Sequence, residues 1–102
     1  GGFLMQTETT LSAAQTRFQA MLGPYKWLTP YWDFGSSRPE VDADGLQKAR
    51  GTFSDSEALL AAFFLSVWLG RQANFDMFQA AARLDPQHRA LIADWLLDPF
   101  WP

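Results

Sequence analysis

His88, Asp94 and Asp98 are the residues whose types and spacing come nearest to catalytic chemistry, since the chain's one imidazole precedes two carboxylates on a single segment. An imidazole oriented by a carboxylate is a general base, provided that the fold brings a substrate cleft to it. By spacing, however, His88 lies beside Leu91, Ile92 and Trp95, where a histidine satisfied at the edge of a core would sit. A Ser-His-Asp set can always be assembled on paper from one histidine and many hydroxyls, so composition alone assigns no triad. An enzyme using His88, Asp94 and Asp98 ranks behind protein interaction and small-molecule binding, and the chain is expected not to be one.

Metal and phosphate chemistry find less support. One histidine and no cysteine cannot build a standard structural zinc site. Asp42, Ala43, Asp44 and Gly45 resemble the opening of a calcium loop, but the ligand spacing is incomplete and Phe53 stands where the acidic twelfth ligand belongs. A solvated turn is expected there. Gly23, Gly35, Gly45, Gly51 and Gly70 are isolated breakers rather than a phosphate-cradling loop. No catalytic residue, cofactor or metal is assigned.

Recognition by aromatic rings is the better-supported chemistry. Tyr25, Trp27, Tyr31, Trp32 and Phe34 crowd into one short segment around Lys26 and Asp33, and Pro30 discourages a continuous helix through it. Tyrosine and tryptophan pair a large apolar face with a polar handle and are favoured at the centres of interfaces. Phe100 and Trp101 pose the same choice between docking on their own domain and meeting a partner. Trp27, Tyr31, Trp32, Phe34, Phe100 and Trp101 are therefore the protein-interaction candidates, while completion of the core is the competing use of the same rings. A small-molecule site lined by the connector is the alternative function.

The elements that position these residues follow from pattern. Residues 53–70 read as a capped helix with Leu59, Leu60, Phe63, Phe64, Leu65, Val67, Trp68 and Leu69 on almost every face, so it must be covered on more than one side. Ser54 with Glu57 has capping-box spacing, and Gly70 is the natural stop. Ser12 with Gln15 opens an earlier helix to Leu22, whose inward face carries Phe18, Met21 and Leu22. Val41 to Arg50 is a short helix weakened by Gly45. Asn74 is expected to cap a helix through Leu84 with Phe75, Phe78 and Ala82 on one face. Asp85 and Pro86 start the last helix, where Leu91, Ile92, Trp95 and Leu96 form the inward stripe until Pro99.

These readings give an all-α fold, a small four- or five-helix bundle with an irregular aromatic connector, a short hairpin around Trp27 to Phe34 being the one β variant. Gly1 to Leu4 precede Met5 and read as an added tail, leaving residues 5–102 as a single helical domain. Eight bases against 11 acids give a net charge of -3 with no basic ribbon, which disfavours nucleic acid and anionic lipid. The longest apolar run is too short to span a membrane. Absence of cysteine suits the cytoplasm. The expected function is a non-catalytic protein-interaction or regulatory domain acting through an aromatic and apolar surface, its partner another protein or a second copy in a homodimer.

Overall fold

The computed structural model describes residues 11–102, so the expected tail and Met5 start lie outside the described residues. Five helices and one minimal β pairing make up the described chain, a small helical bundle built on an aromatic cluster. The first helix, α1, spans Ala13–Leu22. The Gln15 amide donates to Ser12 Oγ at 3.0 Å and the Ser12 amide donates to Gln15 Oε1 at 3.0 Å, satisfying two of the donors that every helix start leaves open. Phe18 and Leu22 point inward from it and are fully buried.

The connector is more ordered than its composition implies. A single 3-10 turn at Thr29–Tyr31 leads into β1, Trp32–Asp33, which pairs antiparallel with β2, Glu40–Val41. Trp32 faces Val41 and Asp33 faces Glu40. The next helix, α2, spans Ala43–Ala49 and is capped by Asp42, whose Oδ1 accepts from the Gly45 amide at 2.9 Å. A Cβ at Gly45 would overlap the Asp42 carboxylate, so the residue that weakens the helix also admits its cap. Asp42 thus has a structural use at a helix start.

At the centre lies α3, Asp55–Leu69, with the expected capping box between Ser54 and Glu57. Leu60, Ala61, Ala62, Phe63, Phe64, Leu65 and Val67 are all buried on it, as a helix apolar on every face requires. Gly70 closes it at φ 69°, a left-handed conformation that any Cβ would strain.

Two details of the second half differ from the sequence expectation. The helix after α3 is α4, Met77–Arg83, and its cap is Asp76, whose Oδ1 accepts from the Phe78 and Gln79 amides at 3.0 and 3.1 Å. Asn74 instead occupies the turn at φ 60°, a conformation that asparagine tolerates better than most residues. With that later start Ala80 becomes the buried residue of α4, while Phe78 is 87% exposed. The last helix, α5, spans Pro86–Leu97, with Asp85 capping through its carbonyl, which accepts from the His88 and Arg89 amides. Ile92 is buried and Leu91 and Trp95 are half-buried, but Leu96 is 51% exposed and leaves the expected inward stripe.

Two variants test this packing. Gly70→Ala should lower unfolding free energy by about 1–2 kcal/mol through left-handed strain. Trp32 is buried with its indole N–H unpaired among the described residues, and such a donor costs about 1–3 kcal/mol. Removing it offsets part of the lost ring area, so Trp32→Phe should change stability by less than about 1 kcal/mol, against about 3–5 kcal/mol for Trp32→Ala in urea unfolding.

Candidate interaction surface

The aromatic residues divide between two sides of α3. Phe18 from α1 meets Trp32 at 5.5 Å, Phe34 at 6.4 Å, Phe64 at 5.7 Å and Trp68 at 5.1 Å between ring centroids. Trp27 stands edge-on to Phe53 at 5.1 Å and Tyr31 is half-buried, its carbonyl accepting from the Asp42 amide at 2.7 Å. Trp32 is buried, and Trp27, Tyr31 and Phe34 are half-buried and packed against the core. The connector rings thus serve the cluster around α1 and α3.

On the other side, Phe63 touches Phe75 at 5.6 Å and Trp95 at 5.8 Å, and Trp95 meets Trp101 edge-on at 5.3 Å. The chain after α5 is held by the Trp95 indole N–H, which donates to the Phe100 carbonyl at 3.1 Å. Phe100 is half-buried beneath Arg17, whose guanidinium carbon lies 4.4 Å from the ring centroid while pairing with Asp98 at 3.1 Å. Trp101 is the outlier among the six candidates, 62% exposed.

Beside Trp101 opens an apolar groove of about 240 Å³, with Phe63, Val67 and Phe75 among its lining and Met77, Leu96 and Trp101 at its mouth. A smaller hollow of about 150 Å³ between α4 and α5 shares Met77 and Leu96 with it and extends it past Ala81 and Ala93 to Arg89. Met77 is 43% exposed. Contiguous exposed apolar surface of this kind marks docking sites more often than single scattered residues do. Met77 and Leu96 escaped the sequence reading because both sit on helices with too many apolar residues for one stripe. That excess, with Leu91, Ile92, Trp95, Leu96 and Leu97 all on α5, was the available signal.

The remaining polar candidates are separated by their partners. The Tyr25 hydroxyl and His88 Nδ1 share a 2.7 Å hydrogen bond, with the rings 5.4 Å apart, which places the histidine at the edge of the core. Asp98 is paired with Arg17, and Asp94 lines a second concavity of about 450 Å³ between α1 and α5 that His88 does not line. Among the described residues no group of three or more His, Asp or Glu could hold a metal ion, and no described helix is long and apolar enough to cross a membrane. Comparison with known proteins matches no family model, no curated protein and no solved structure.

Burial pushes the Tyr25 hydroxyl above its ordinary value of 10.0. Because the folded state holds that proton more tightly than the unfolded chain, its contribution to stability is present below pH 10 and lost as pH rises through the folded value. The urea midpoint should therefore fall on alkaline titration above pH 10, with a smaller fall for Tyr25→Phe. Equal alkaline losses in both proteins would assign the effect to other groups.

Proposed function

We propose that this chain is a non-catalytic protein-interaction domain, with the groove between the end of α5 and the start of α4 as its docking surface. The observation that carries this reading is the exposure of Trp101, Leu96 and Met77 together around one apolar hollow. Tryptophan exposed beside such a hollow is a residue type often responsible for binding energy, because it excludes much water and has few rotamers to lose. Trp95 backs Trp101 edge-on and is itself tied to the Phe100 carbonyl, so the exposed ring is braced for contact. Of the six candidates, Trp101 takes the leading role, while the connector rings serve the cluster on the other side of α3. A chain without cysteine suits a reducing compartment, and we take its site of action to be the cytoplasm.

The test compares affinity isolation by the native protein with isolation by Leu96→Asp, Trp101→Ala and the connector variant Tyr31→Ala, with retained species quantified by mass spectrometry. Leu96 and Trp101 are exposed enough that these changes should shift stability little, by about 0.5 kcal/mol or less. A stoichiometric partner kept by Tyr31→Ala and weakened about thirtyfold or more by Trp101→Ala is the expected result. Identical retention by all four proteins would overturn the assignment of this surface.

A further inference from the structure

The groove carries charge of one sign. Its two connected hollows are lined by Arg71 at one end and Arg89 at the other, and by no aspartate or glutamate. Neither guanidinium is engaged in an ion pair among the described residues, in contrast to Arg17 and Arg83, which pair with Asp98 and Asp55. This cationic rim stands on a chain whose net charge is -3, so it is a local feature and not a sample of the whole surface. Resting on the interaction reading above, we propose that the partner is an acidic amphipathic helix, its apolar stripe laid over Leu96, Met77 and Trp101 and its carboxylates set against Arg71 and Arg89.

The shape of the floor agrees with a helical occupant. Arg89, Ile92, Ala93 and Leu96 follow one another at helical spacing on α5, and the seven steps from Arg89 to Leu96 advance about 10 Å, two turns of a helix lying alongside. Small Ala81 and Ala93 in the narrow part permit close approach, while the wider part beside Trp101 admits a large apolar anchor. A second copy of this chain fits less well. Self-pairing on this groove would bring four arginines together with no acid from the lining to separate them.

Three synthetic peptides of about 18 residues, long enough to sample helix in water, test the proposal by fluorescence anisotropy. All three share a frame: the first carries leucines at the one-four-eight spacing with glutamates flanking the stripe, the second replaces glutamate by lysine, and the third keeps glutamate but replaces leucine by alanine. The glutamate-leucine peptide should bind about tenfold or more tightly than the lysine peptide at low salt, and the alanine peptide should not bind. The double variant Arg71→Glu with Arg89→Glu should reverse the preference, Leu96→Asp should abolish binding, and circular dichroism should report both variants folded.

Equal binding of the glutamate and lysine peptides, both lost in Leu96→Asp, would overturn the acidic-partner proposal while leaving the interaction surface standing. Failure of the glutamate-leucine peptide to bind would overturn the proposal, and the isolation experiment decides separately whether the surface reading falls with it. Light scattering that gives a dimer dissolved by Leu96→Asp would assign the groove to a second copy. Binding to phosphatidylserine vesicles that needs Leu96 and both arginines, without peptide binding, would assign it to lipid.

Discussion

Everything in this domain answers to one requirement, that a 15-residue helix with apolar residues on all sides be taken out of water. Phe63 and Phe64 show how the requirement is met. Consecutive residues on a helix point about 100° apart, so the two rings address different neighbours. Phe64 meets Phe18 and Tyr25, while Phe63 meets Phe75 and Trp95. Each fully buried ring is worth about 1.5–3 kcal/mol from area alone. Most of the contacts are tilted or edge-on, the arrangements that ring quadrupoles favour.

Polar groups play a different part. No polar or charged residue is buried among those described, so the interior owes its stability to packing. Both ion pairs among the described residues are on the surface, where such pairs contribute about 0–1 kcal/mol each. Hydrogen bonds instead fix where elements begin and end. Ser12, Asp42, Ser54 and Asp76 each take an amide at the start of a helix, where replacing such a cap by alanine costs about 0.5–2 kcal/mol. Ser66 shows the same economy inside the bundle: its hydroxyl donates to the Ala62 carbonyl at 2.7 Å and accepts from the Ala73 amide at 2.9 Å, joining α3 to the turn beyond it.

The fold was largely legible for this reason. Capping boxes at Ser12 and Ser54 and the stop at Gly70 are local chemistry, readable without knowing what lies nearby. The short pairing of Trp32–Asp33 with Glu40–Val41 was not, because two residues on each strand leave no alternation to read. Asn74 read as the cap of α4 from its type alone, whereas the structure caps the helix at Asp76 and uses Asn74 in the left-handed turn before it. The site was legible only in part. Trp101 was named from its type and position, but exposure is a property of what covers a residue, and neither Met77 nor Leu96 carries a mark that distinguishes groove from core.

The groove itself follows from unequal lengths. Seven residues make α4 about 10 Å long and 12 make α5 about 18 Å, and the two are joined tightly through Leu84 and Asp85. Pinned at that end, α4 runs out before α5 does. The last turn of α5, with Trp95 and Leu96, therefore projects beyond the start of α4, where the chain after Gly70 and the residues after Pro99 provide the remaining walls. A longer α4 capped at Asn74 would add two residues, about 3 Å and just over half a turn, at this end. The cap at Asp76 starts α4 at Met77, and Leu96, Met77 and Trp101 stay exposed around the hollow beside it.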